Sequence, residues 1–172
     1  IASKFKAKGY KVGAWMPILA YQFTTINSLP AEYVQTWNST SQSVEEESCE
    51  TAAFYCRLTP FNTNNSLIIE SIYEDLVRSF PDIDIIHGHD DGAMNDLEDC
   101  SPSALLTYSK NGFPSSCKEL MELDSETSLL WANFKADAIS QQFQNNINAA
   151  KKIKNDIQSS RNYYINSFIN PN

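Results

Sequence analysis

Histidine is nearly missing from this chain, and the position of the few it has is more informative than their number. The two histidines both stand in one stretch, Ile85-Ile86-His87-Gly88-His89-Asp90-Asp91, and no third is present to complete a His-rich zinc centre. Lysine and arginine are absent between Arg78 and Lys110. Positive charge is scarce overall. The formal net charge of −8 argues against nucleic-acid phosphates as a partner and suits a cationic one. No apolar run approaches the roughly 18 residues of a membrane-spanning helix. None of the four cysteines is paired at C-x-x-C spacing, which removes a zinc knuckle. There is no secretory signal pattern and no internal repeat.

What remains is an ordinary globular composition, with 42% apolar and 20% charged residues over 172 positions. That is enough for one domain with a real core. The opening Ile1-Ala2-Ser3-Lys4-Phe5-Lys6 reads as the tail of an amphipathic helix. The closing Asn170-Pro171-Asn172 follows a strand-like segment. The expectation is that residues 1–172 are part of a single larger domain, truncated at both ends.

Residues 11–20, KVGAWMPILA, follow Gly9 and read as a buried strand. Residues 22–53 are polar and read as a surface excursion with a short helix near 31–37. Residues 54–61 form a short extended piece. Asn62 to Asn65 then supply N-cap candidates for a helix to about Phe80, where Leu67, Ile68, Ile72, Leu76 and Val77 keep helical spacing and Pro81 stops it. Residues 83–87 are the next strand. Ser101 and Pro102 open another helix as N-cap and N1, closing at Gly112. A short helix over 114–123 and a long one over 125–156 follow, and the last strand is placed at 162–169, opened by Arg161-Asn162. This βαβαβ order, with long crossovers, predicts an α/β fold with parallel strands and outer helices. Three strands cannot close a barrel of about eight, so a TIM-like barrel would be present only in part. The missing half, or a covering chain, would then meet an exposed apolar face.

The acidic stretch carries the chemistry. Seven carboxylates fall between Asp82 and Asp99, directly after an apolar strand. A parallel sheet presents catalytic groups at such a place. A binuclear metallohydrolase would need a histidine where Gly92 stands. The calcium loop of an EF-hand needs a different Asp spacing. The plainer alternative is a set of carboxylates that cap the next helix. A glycosidase needs two carboxyls across one glycosidic bond, one of them kept protonated by its neighbours. Asp90, Asp91, Asp96 and Glu98 are the catalytic candidates. Trp15, Tyr21, Tyr55 and Trp131 offer flat faces for sugar rings, each weighed against a core role. Trp15 is preferred because it precedes a strand exit. Arg161 is either a cation at a helix C-terminus or a donor to substrate or to a catalytic carboxylate. No metal and no cofactor are expected. In an oxidising compartment the local pairs Cys49–Cys56 and Cys100–Cys117 would form; in a reducing one all four would be thiols.

The segments GYKVGAWMPILA (9–20), RLTPFN (57–62), IYEDLVRSFPDIDIIHGHDDGAMNDLEDCSPSAL (72–105), WANFK (131–135) and SRNYYINSFINP (160–171) together resemble the C-terminal glycoside hydrolase domain of the poly-β-1,6-N-acetyl-D-glucosamine N-deacetylase (PgaB) family. The resemblance implies a (β/α) barrel that cleaves partially de-N-acetylated poly-β-1,6-N-acetyl-D-glucosamine, a biofilm exopolysaccharide, in a periplasmic or outer-membrane-associated setting. It carries His89, Asp90, Asp91, Asp96, Glu98 and Asp99 onto the family's acidic block. Trp15, Arg161 and Asn162 match the flanking motifs, and Tyr55, an aromatic, joins them as a substrate-binding candidate. His87-Gly88 replaces the bulky apolar residues the family carries there. Glucosamine units freed of acetyl groups are cationic, which agrees with the acidic rim. The reading from another class is a non-catalytic carbohydrate-binding module that holds the same polymer during export.

Overall fold

The structure, a computed structural model, describes residues 2–21, 31–46 and 56–162. Its elements in chain order are α1 (Ala2–Lys6), β1 (Gly13–Met16), β2 (Gln35–Asn38), β3 (Ser43–Glu46), α2 (Thr63–Ser79), β4 (Ile85–Gly88), α3 (Pro102–Lys110), α4 (Cys117–Met121), α5 (Ser125–Ile153) and β5 (Gln158–Arg161). Strands β1, β4 and β5 form one parallel sheet with β4 in the middle. The fold class is therefore the expected one, parallel strands with helices between them.

Side chains alternate along each strand, and the two faces of the sheet differ. Ile86 is fully buried against Ile69, Tyr73 and Val77 of α2 and Ile147 and Ala150 of α5, with Ala14 and Met16 packed beside it. Burying an aliphatic side chain of this kind stabilises by about 1.5–3 kcal/mol, so this helix-covered face fixes the sheet. The helices start where the sequence supplies caps. Asn62 Oδ1 accepts from the N–H groups of Asn64 and Asn65 at 2.9 and 3.3 Å. Ser101 caps α3 with Pro102 at its first turn. Asp124 Oδ1 accepts from Glu126 and Thr127 at 3.0 Å, opening α5. No helix among the described residues is long and apolar enough to cross a membrane. A second core, around Tyr108, Trp131 and Leu120, joins α3, α4 and the start of α5. The Cys100–Cys117 disulfide staples it, with Cα atoms 5.6 Å apart. Cys56 is also disulfide-bonded, while Cys49 lies outside the described residues.

Three expectations need correction. The helix near 31–37 is instead the first arm of an antiparallel β2–β3 hairpin. Val34 and Trp37 are buried, and β-branched and aromatic residues suit a pleated surface better than a helix. Its turn is built by Asn38, whose Oδ1 accepts from Thr40 and Ser41, and by Gln42 in the left-handed region at φ 53°. The last strand runs over Gln158–Arg161 rather than 162–169, so Arg161 closes it instead of opening it; residues 163–172 lie outside the described part. Finally, the sheet face turned away from the helices is only in part the apolar one expected: Trp15 and Ile85 stand on it among Gly13, His87, Gln158 and Ser160.

Candidate active site

The strands β1, β4 and β5 end on the same side of the sheet, and the acidic stretch leaves β4 there. The ladder continues one step past the strands: His89 N–H donates to the Met16 carbonyl at 2.8 Å and Asn162 N–H to the Gly88 carbonyl at 3.2 Å. Gly88 is required by packing, since a Cβ there would stand 2.8 Å from Phe143 Cε2. These contacts fix where His89, Asp90 and Asp91 start.

Asp90 and Asp91 then part company. The Asp91 carboxylate is completely buried. Its Oδ1 accepts from Ile18 N–H at 2.9 Å, and its Oδ2 from Leu19 and Ala20 N–H, both at 2.6 Å. It thus closes the turn that follows β1. The Asp90 side chain keeps about a third of its surface, 34%, and its Oδ1 lies 2.7 Å from His89 Nδ1. The same nitrogen accepts from the Asp91 N–H at 3.3 Å. The His89 ring in turn stacks on Trp15, with centroids 4.6 Å apart and planes tilted by 32°. Trp15 itself is 60% exposed. A carboxyl, an imidazole and an open indole face are therefore gathered at one strand edge.

The rest of the acidic block is divided between structure and surface. Glu98 is buried and its Oε1 receives Arg57 Nη2 at 2.8 Å and Asn95 Nδ2 at 2.9 Å, while Oε2 accepts from Asn95 N–H at 3.1 Å. Asp99 is fully buried and accepts from the N–H groups of Ser101 and Gln35 at 2.8 and 3.2 Å. Burial pushes its pKa up. Asp96 is exposed, on the rim of a cavity of about 250 Å³ lined by Gly92, Met94, Lys135, Ile139 and Arg161. Of the four candidate catalytic carboxylates, Asp90 and Asp96 face outward, and Asp91 and Glu98 hold the loop.

Arg161 also braces this loop: its Nη2 donates to the Gly92 carbonyl at 2.5 Å and its Nη1 to Ser140 Oγ at 3.4 Å. Gly92 makes room for it, since a Cβ there would lie 2.9 Å from Nη2 and 2.8 Å from Ile18 Cδ1. Asn162 is exposed at the end of β5. Tyr55 lies outside the described residues. Trp131 is buried and carries the Lys135 ammonium 3.6 Å above its ring, and Tyr21 turns its hydroxyl to the Pro17 carbonyl at 2.8 Å, so neither is an open sugar platform.

Arg57 and Lys135 were not among the sequence candidates, yet both serve the acidic loop. Lys135 Nζ donates to the carbonyls of Asn95 and Glu98 at 2.8 and 2.5 Å, and burial lowers its pKa to about 8. Its signal was a lysine placed between Trp131 and Ile139 at apolar helical spacing. The rim that looks free of cations in sequence is thus supplied with them from elsewhere in the chain. Among the described residues no three His, Cys, Asp or Glu side chains are grouped as metal ligands.

Comparison with known proteins places the chain by family and fold. Residues 3–172 match the profile of the family described as Hypothetical glycosyl hydrolase family 13. The poly-beta-1,6-N-acetyl-D-glucosamine N-deacetylases of Escherichia coli K12 and O157:H7 are each 31% identical over 132 residues, which is 76% of this chain and 18% of theirs. The PgaB (BpsB) glycoside hydrolase domain from Bordetella bronchiseptica superposes with a TM-score of 0.80 at 25% identity, over 97% of this chain and 46% of that one. The chain thus spans less than half the length of each of these relatives.

Proposed function

The chain belongs to Hypothetical glycosyl hydrolase family 13 and is a glycoside hydrolase domain of the PgaB type; from that premise we propose that it serves endo-cleavage of partially de-N-acetylated poly-β-1,6-N-acetyl-D-glucosamine. The observation that carries the reading is the trio Asp90, His89 and Trp15 at the strand edge. Trp15 offers a flat apolar face to a pyranose ring. Asp90 supplies a carboxyl to the glycosidic oxygen, and the His89 contact holds it in place. Asp96, the other outward carboxyl of the loop, is the second group that glycoside hydrolysis needs. Asp91, Glu98 and Arg161 act as positioning residues, and Asn162 extends the rim toward substrate. The net charge of −8 favours a polymer whose free amines are cationic. The strands that complete the barrel come from beyond this segment or from a covering chain. The Cys100–Cys117 disulfide and the kinship to exopolysaccharide-processing proteins support an extracytoplasmic setting.

The test is Asp90→Asn in the full-length protein, assayed on defined β-1,6-linked glucosamine oligosaccharides. The change is nearly isosteric but removes the carboxyl. Product formation should fall by at least about a hundredfold, the scale of lost acid/base catalysis, with binding and folding retained. Substantial remaining hydrolysis would move the chemistry out of Asp90. A wild-type protein that binds the oligosaccharides and never shortens them would instead be a carbohydrate-binding module.

A further inference from the structure

His87 belongs neither to the core nor to the acidic loop. It stands on the exposed sheet face in the middle strand, in register with Trp15 of β1 and Ser160 of β5. Its Nδ1 is hydrogen-bonded to Ser160 Oγ. Its opposite edge lies over β1, where a Cβ on Gly13 would be 3.1 Å from Cδ2 and 3.2 Å from Nε2. The imidazole is therefore laid across the sheet from β5 to β1, held at one side by a hydroxyl and admitted at the other by a glycine. Trp15 and His87 are register partners on neighbouring strands, about 4.8 Å apart, so both side chains leave the same face at the same level. An aromatic plane takes the apolar face of a sugar and leaves the hydroxyls and amines at the sugar's rim. Those groups need partners when water is displaced.

We propose that His87, positioned by Ser160, is a specificity-determining ledge that hydrogen-bonds the polar rim of the sugar unit seated on Trp15. This rests on the carbohydrate reading above. An apolar residue would accept the same ring without choosing among its substituents. With Nδ1 taken by Ser160, Nε2 is the ring nitrogen left to meet a hydroxyl or amine.

The test measures binding of a defined partially de-N-acetylated β-1,6-glucosamine oligosaccharide by calorimetry to the full-length protein carrying Asp90→Asn, alone and with His87→Leu, His87→Gln or Ser160→Ala. His87→Leu should weaken binding about tenfold, the scale of one hydrogen bond. His87→Gln should recover most of that loss, and Ser160→Ala should give a smaller one. In the catalytically intact protein the His87→Leu loss should appear in KM rather than kcat. Unchanged affinity in His87→Leu, or equal losses for Leu and Gln, would overturn the ledge while leaving the carbohydrate reading standing. No binding by Asp90→Asn alone, with its fold intact, would overturn the reading on which the ledge rests.

Discussion

The sharpest consequence of the geometry is that two adjacent aspartates should fail in different ways. Asp91 is the acceptor for three backbone N–H groups, from Ile18, Leu19 and Ala20. Asp91→Ala would strand all three in a buried turn. Hydrogen bonds to a charged group contribute about 1.5–3 kcal/mol each and an orphaned buried donor costs about 1–3 kcal/mol. The three bonds share one carboxylate and are not additive, so the expected loss is about 4–5 kcal/mol. That is about a quarter or more of the roughly 5–15 kcal/mol that holds an ordinary domain together. Asp91→Asn keeps one oxygen where Oδ2 now receives Leu19 and Ala20. It loses the charge and the Oδ1 bond, for an expected cost of about 1.5–3 kcal/mol. The assay is urea unfolding followed beside oligosaccharide turnover. At about 1–3 kcal/mol per molar urea, Asp91→Asn should move the midpoint by roughly 1 M and leave part of the activity. Asp90→Asn should leave the midpoint in place and remove the activity. An Asp91→Asn protein as stable as the wild type but inactive would refute the reasoning and make Asp91 the chemical group.

Two further outcomes follow from the fold. The Lys6 ammonium, 2.9 Å from Asp84, and the Val12 N–H hold the Asp84 pKa down at about 2. A carboxylate with a depressed folded pKa stabilises above its ordinary value near 3.8 and loses that contribution as pH falls toward about 2. The stability gap between wild type and Asp84→Asn, measured as melting temperature against pH, should therefore be full above pH 4 and shrink below it; a gap independent of pH would remove the pairing. The Cys100–Cys117 disulfide closes 17 residues of chain, so Cys117→Ala should destabilise by about 3 kcal/mol in chemical denaturation, and reduction of the wild type, which also opens the bridge at Cys56, should cost at least as much; no change on reduction would show that the bridges add nothing.

Much of the architecture is written locally. The caps Asn62, Ser101 and Asp124 and the apolar spacing of α2 and α5 are short-range signals, and the structure places those helices close to where the sequence puts them. The parallel pairing of β1 with β4 follows from the helical crossover between them. The hairpin over 35–46 was hidden because its residues are polar on one side and its partner strand is a run of Ser, Val and Glu. Its burial depends on distant groups: Trp37 N–H donates to the Leu97 carbonyl and Cys100 N–H to that of Gln35.

The sequence by itself determined that a carboxylate-rich loop leaves a parallel strand at its carboxyl end, and that Trp15 stands beside that exit. Hydrophobic period and capping chemistry are properties of neighbours along the chain, and they suffice for this. Only the tertiary structure decided which carboxylates are buried in the loop and which keep access to solvent. Asp90, Asp91 and Glu98 are equivalent as letters. One keeps about a third of its surface beside His89, one is consumed by the amides of residues 18–20, and one is neutralised by an arginine that lies 41 positions away. Hydrogen-bond partners and solvent access are set by what the fold brings together, and no reading of neighbours along the chain supplies them.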